Sequence, residues 1–316
     1  TFNANGGSGS IPSSITVKNG EMMPSISKGS ITRSGYTFMG WYDNKDLTGD
    51  KVTSISNTVT GNKTYWAKWN ENPSITGLTF TGFTGTYDAN EHGVTVEGDL
   101  SNYTIKYSTD GTNYDLTESP KYTNVGKNTV YYKVTRDGYK DKTGNVEINI
   151  SEATITEDMF KFEDETVTYD GKEHTIKNSG SGLTNATITL TVNKTNYTSL
   201  PKFTNAGTYK IDYKIEKANY TTRTGSATLT INKKAITVKA KDKTITYGDS
   251  LPTFDYEITK GSLVTGESLE NINVSQLTKT TVGNYDITVS QSEGSNPNYN
   301  ITFENGNFRI DMKEIT

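Results

Sequence analysis

The chain repeats itself at a period of about eighty residues, and that repetition limits what it can fold into. PKYTNVG at 120–126 returns as PKFTNAG at 201–207, and TYDANEH at 86–92 returns as TYDGKEH at 168–174, offsets of 81 and 82 residues. Tyr139 in RDGY matches Tyr220 in KANY, and Gly144 before VEINI matches Gly225 before ATLTI, both at an offset of 81. A more divergent third copy follows, with ITYGDSLP at 245–252, TTVGNYDITV at 280–289, PNY at 297–299 and GNFRI at 306–310. A period of this length calls for serial modules, each closing its own small core, rather than one large globule.

Within each period the pattern is that of strands. VYYKV, YKIDYKI and YDITV alternate apolar and polar side chains with period two, so one face of each meets a core. VEINI, ATLTI and NFRI read as closing strands. Between them lie turn formers: STDGTNYD (108–115) carries an Asp-Gly hairpin signal, and NVG, NAG and TVG each place Gly where a positive φ is expected. About seven short strands per period, with no helical periodicity, predict an immunoglobulin-like sandwich. Only 31% of residues are hydrophobic, while aromatics reach 10%. That suits thin β-domains closed by Val, Ile, Tyr and Phe, and it is not the composition of a disordered chain.

Several function classes recede on composition. Net charge is −4 and no Lys/Arg cluster occurs, so no nucleic-acid partner is expected. No apolar run approaches the ~18 residues of a membrane span, so no insertion within this chain is expected. Cysteine is absent, which excludes disulfides, thiolate metal sites and cysteine nucleophiles. A disulfide-free exported β-protein fits a bacterial surface better than an animal extracellular space.

The first 71 residues differ from the rest and hold all three tryptophans, Trp41, Trp66 and Trp69. TFNANGG (1–7), TRSGYTFMGWYD (32–43) and KTYWAKW (63–69), in that order and spacing, resemble the Listeria–Bacteroides repeat, the B-repeat type known from internalin B. The resemblance implies a compact β-grasp-like fold in a cell-surface protein. VTYDGKEH, FTNAGTYKIDY, NYTTRTGSATLTI and ITVKAKDKTITYGDSLPTFDYEIT resemble MBG-type domains of bacterial surface proteins, the last of them the second MBG subtype. Residues 72–153 are assigned through their similarity to the unit that follows. The expected organisation is therefore all-β, with a β-grasp-like domain at 1–71 and MBG-like, immunoglobulin-like sandwiches at 72–153, 154–234 and 235–316, in an extended array. INKKAIT (231–237) and IDMKEIT (310–316) are alike in placement, so the chain reads as an excerpt of a longer protein, stopping as another unit would begin.

Several stretches carry residues that could support chemistry or binding. His92 and His174, the only histidines, each follow a Tyr-Asp-x-x-Glu, with Asp88 and Glu91 or Asp170 and Glu173 beside them. A metal or proton-transfer site there would need further ligands or a convergent pocket, and the third copy lacks the His, so structural turns are the preferred reading. Trp41, Trp66 and Trp69 form either part of a small aromatic core or a sugar-stacking face; they are the ligand-contact candidates. In YWAKW, Trp66 and Lys68 fall on one strand face and Tyr65, Ala67 and Trp69 on the other. The loops DLTGDK (46–51) and DGTNYD (110–115) resemble calcium loops without EF-hand spacing and read as solvated turns. Lys–Asn isopeptide links are testable by intact mass. Sequons at Asn62, Asn102, Asn193, Asn196, Asn219, Asn273 and Asn300 follow from a Thr- and Asn-rich chain.

No catalytic residue, metal or cofactor is expected. The sequence supports a non-enzymatic stalk or adhesin segment of a Gram-positive surface protein, wall-attached through regions outside these residues and monomeric. Its host or glycan partner is unidentified. The alternative is a glycan-binding surface module that uses exposed Trp and Tyr.

Overall fold

Asn-rich turns and β-branched strands set the local structure. In the computed structural model, which describes residues 1–316 except 19, 22–24, 57, 59 and 315–316, every helix or strand among the described residues is a β-strand. Among the described residues, seven of the ten non-glycine positions with positive φ are asparagines: Asn5, Asn102, Asn185, Asn193, Asn219, Asn271 and Asn296. Asn tolerates the left-handed conformation that a tight turn demands, which explains why it leads at these positions.

The chain divides into two compact units, Thr1–Ala153 and Thr154–Thr316. In the first, a mixed three-stranded sheet places Phe2–Asn3 parallel to Tyr65–Glu71, which pairs antiparallel with Tyr36–Tyr42. Phe2, Ile31, Trp41, Ile55, Tyr65 and Ala67 form the core beneath it. Further along the same unit, Phe83–Thr86 runs parallel to Lys142–Ser151, and that strand pairs in turn with Gly126–Thr135 and, through it, with Thr104–Ser108. A two-stranded sheet, Thr79–Thr81 with Thr95–Glu97, lies over it and contributes Phe80, whose ring stacks on Tyr132 at 3.6 Å. Tyr107, Val130, Ile148 and Ile150 are the buried centre.

The second unit repeats this frame. Glu165–Thr168 runs parallel to Arg223–Asn232, which pairs antiparallel with Gly207–Glu216; that strand pairs with Thr187–Val192. The frame appears once more as Lys243–Thr246, Gly306–Asp311 and Gly283–Ile287. The registers agree: Thr86 faces Ser151, Thr168 faces Asn232 and Thr246 faces Asp311. In each, the next residue, a tyrosine, donates its N–H to that partner's carbonyl at 2.8 Å (Tyr87, Tyr169, Tyr247).

Three details correct or explain the sequence reading. YDITV is not one strand: Gly283–Ile287 and Val289–Gln291 pair with different neighbours, and the chain changes sheets at Thr288. Gly126 and Gly207 have no positive φ; they begin long strands, and a Cβ on Gly207 would instead meet the Tyr209 hydroxyl at 3.3 Å. Gly144 and Gly225 recur for a packing reason. Tyr132 and Tyr213 lie opposite them across the sheet, and a Cβ would sit 2.4 and 2.3 Å from those hydroxyls. The ring covers the bare backbone of its glycine partner.

Candidate functional sites

The tryptophans divide between core and surface. On the Tyr65–Glu71 strand the alternation buries Tyr65 and Ala67 and packs Trp69 against the same core, while Trp66 and Lys68 face outward, half-buried. Trp41 is 2% exposed. Its indole N–H donates to the Ser27 carbonyl at 2.9 Å, and that of Trp69 to the Ala4 carbonyl at 2.9 Å. Phe2 and Phe38 meet the Trp41 ring edge-on, and Phe38 also meets Trp69. The three indoles are thus not brought together on one surface. On the outward side, Trp66 has the Lys45 ammonium 6.0 Å from its ring, and Lys68 lies 4.8 Å from the ring of Tyr42.

The two histidine phrases have one geometry. Asp88 accepts hydrogen bonds from the Asn90 backbone N–H at 2.9 Å and the Asn90 side chain at 3.1 Å, and lies 2.9 Å from His92 Nε2. Asp170 accepts from the Lys172 N–H at 2.9 Å and lies 2.7 Å from His174 Nε2. The His92 bond, followed by those of Asn90, holds the Asp88 carboxyl down at about 2. The Lys172 N–H and then His174 depress that of Asp170. Each histidine also exchanges both backbone hydrogen bonds with the neighbouring loop, His92 with Tyr122 and His174 with Phe203, all at 2.9 Å. The His92 ring stacks on Phe83 at 3.4 Å. Carboxylate, imidazole and backbone are mutually engaged, so the motif clamps a turn. Glu91 and Glu173 point away, toward Lys121 and Lys202. Among the described residues no group of three or more His, Cys, Asp or Glu can hold a metal ion. The DGTNYD loop is closed on itself as well: Asp110 accepts from the N–H groups of Thr112 and Asn113 and from the Ser108 hydroxyl, which lowers its pKa.

Contacts between successive sequence repeats form a third kind of site. In the second unit the Tyr169 and Tyr299 hydroxyls both donate to the carboxylate of Glu267, one to each oxygen. The Tyr299 oxygen also accepts the Val264 N–H at 2.9 Å. The two rings meet edge-on at 5.7 Å, and both are buried, 4% and 6% exposed. Beside them, Asn298 accepts the Ala206 N–H at 2.8 Å and donates to Asn205 at 3.1 Å. Glu267 and burial together push the Tyr169 hydroxyl up to about 12, and burial followed by Glu267 raises that of Tyr299. In the first unit Lys140 instead reaches Glu71, the Lys140 N–H donates to the Pro73 carbonyl at 3.0 Å and the Asn72 N–H to that of Gly35 at 2.9 Å. Sequence reasoning singled out neither set. Tyr169 lay inside the histidine phrase and Tyr299 inside PNY, but Glu267 sits in a stretch with no counterpart in the other repeats.

In the third repeat the histidine phrase gives way to Tyr247-Gly248-Asp249, where Asp249 closes the turn by exchanging hydrogen bonds with Thr246 at 3.0 Å. This turn lies inside one of two segments that match known domain families. The MBG domain of the YGX type matches residues 236–309, and the Listeria–Bacteroides repeat domain matches residues 1–68. The Listeria–Bacteroides match contains Trp41 and Trp66, and the MBG match contains Glu267 and Tyr299. No curated protein matches the chain. Among solved structures, titin I-band fragment I67–I69 is 11% identical, with 76% of this chain and 100% of that one covered at a TM-score of 0.28. A 1.5-MDa bacterial ice-binding adhesin is 12% identical over 77% of this chain and 100% of that one, at 0.27. Drosophila N-cadherin EC1–4 is 10% identical over 82% and 81%, at 0.24. Similarity at this level carries no argument about function.

Proposed function

We propose that this chain is a non-enzymatic structural segment of a bacterial cell-surface protein, a stalk or adhesin region of four β-domains, 1–71, 72–153, 154–234 and 235–316, that spaces a functional head from the cell. The observation that supports it most is the side-chain stitching between successive repeats, above all the Tyr169–Glu267–Tyr299 clamp. A carboxylate shared by two buried tyrosines of different repeats ties one β-domain to the next and resists bending between them. The two matched domain types support placement at the bacterial surface or outside the cell. Attachment to a Gram-positive wall through regions beyond these residues is part of the same proposal. Single-molecule stretching tests it: the reading expects serial unfolding steps of one or two domains, on the order of 250–290 Å of released chain per eighty residues. A single step releasing the whole chain would sink it.

A second reading, glycan binding through the first domain, has one observation in its favour: Trp66 faces outward on its strand beside Lys45, Tyr42 and Lys68. A glycan array with the chain and its Trp66→Ala variant separates the two. Selective sugar binding that Trp66→Ala abolishes without unfolding would establish the binding module. Trp41→Ala is uninformative here, because that ring is core.

A further inference from the structure

The clamp in the second unit covers one end of the repeat that begins near residue 154, and the same end of the following repeat stands uncovered. The two ends are built alike. Gly207 faces Ile231 and Gly283 faces Ile310 in the same antiparallel pairing. Tyr209 donates its hydroxyl to the Asn205 carbonyl and Tyr285 to the Thr281 carbonyl, both at 2.9 Å. Phe203 stacks on the Tyr209 ring at 4.0 Å, and Lys279, in the matching place, lies 5.7 Å from the Tyr285 ring. Tyr169 and Tyr247 hold one position in this frame, and Ala206 and Val282 hold another.

Their surroundings differ sharply. Tyr169 is 4% exposed beneath Glu267 and Tyr299, while Tyr247 is 51% exposed and Val282 47%. Leu251, 41% exposed, lines a shallow depression with Tyr247. Lys279 shares this depression with them. Tyr247 is thus a large aromatic whose backbone is fixed by a strand-end hydrogen bond to Asp311 while about half of the residue stays exposed. Single exposed apolar residues need no explanation, but an aromatic left open in a position that is covered elsewhere in the same unit does.

We propose that the face formed by Tyr247, Leu251, Lys279 and Val282 is a docking surface for a further β-domain of the 235–316 type. That domain would bring a Glu267-like carboxylate to the Tyr247 hydroxyl and an Asn298-like side chain to the Val282 N–H. The inference rests on the serial reading above and specifies the surface through which such a series extends.

The absence of cysteine permits a direct test. Residues 234–314 are appended in place of residue 313 onward, so that Lys234 of the added copy follows Met312. Single cysteines are then introduced as Ala206→Cys or Val282→Cys, and their reaction rates with a maleimide are compared. In the parent chain, because Ala206 is half-buried beside Asn298, Val282→Cys is expected to react faster than Ala206→Cys. In the extended chain it is expected to slow by about tenfold, and Glu267→Ala in the added copy alone is expected to restore most of the rate. Equal Val282→Cys rates in parent and extended chains would overturn the proposal. So would an added copy that fails to fold, since the same residues fold beside Tyr169 in the parent. Fast labelling of Ala206→Cys in the parent would instead overturn the serial junction itself, which keeps the two failures apart.

Discussion

The two units solve one problem in different ways. In the second, the residues that join successive repeats belong to one continuous buried cluster running from Ile155 through Tyr169 and Leu229 to Tyr299 and Ile310. In the first, one cluster lies under the three-stranded sheet, and a second region has two small buried groups, around Val130 and around Val134, bridged by Phe80, Ile105 and Tyr132. The link there is Lys140 with Glu71, 37% and 60% exposed, backed by a few backbone hydrogen bonds. Buried aromatic area couples neighbours because separating them exposes apolar surface to water. An exposed ion pair couples them weakly, because water and salt compete for both charges. The second unit should therefore unfold as one cooperative block and the first in parts.

Tyr299→Ala should break this contrast most forcefully. It removes a buried aromatic from the shared cluster together with two hydrogen bonds, at a cost of about 3–5 kcal/mol. Denaturant unfolding followed by hydrogen exchange should then show the second unit losing its single transition. If the transition stays single and unshifted, the shared cluster is not what couples the repeats. Glu267→Gln is the finer probe. It keeps the shape but replaces a charged acceptor shared by two hydroxyls, and should cost ~1–2 kcal/mol.

Alkaline titration should distinguish the units without any substitution. The folded-state value of Tyr169 is raised from 10.0 to about 12. Its contribution is therefore whole below pH 10 and is lost as pH rises from 10 through about 12. Thermal melts across that range should show the second unit weakening more than the first, where burial also raises Tyr65 and Tyr107. At the acid end the sign reverses: Asp88, held down at about 2 from 3.8 by His92 and Asn90, contributes fully above 3.8 and loses that contribution as pH falls toward 2. Asp88→Asn should flatten that part of the acid melt for the first unit. The smallest effect is expected from Glu71→Gln, whose partner is solvated: no resolvable change in melting at 0.15 M salt, and a small one at low salt. A large loss would mean that the first unit is joined as tightly as the second.

Much of this was legible in the residues. The period placed the equivalent strands, and alternation assigned the buried face of YKIDYKI, where Ile211, Tyr213 and Ile215 are core. It also separated Trp66 from Trp69, since in a strand neighbouring positions must face opposite ways. The loss of the His in the third copy marked the histidine phrase as a turn, and its hydrogen bonds show why Asp recurs there. These features are local, determined by a few adjacent side chains and the pleat. The change of sheet at Thr288 was not legible, because apolar alternation runs through it unbroken. Nor was Glu267: an exposed acid in a loop has no local signature, and its role arises only when two tyrosines 98 and 32 residues away arrive at its oxygens. The sequence by itself determined which residues repeat and which face each strand turns inward. Tertiary structure alone decided which of the repeated tyrosines are covered, because burial depends on what is packed above a side chain, and equivalent positions such as Tyr169 and Tyr247 carry the same residue in opposite surroundings.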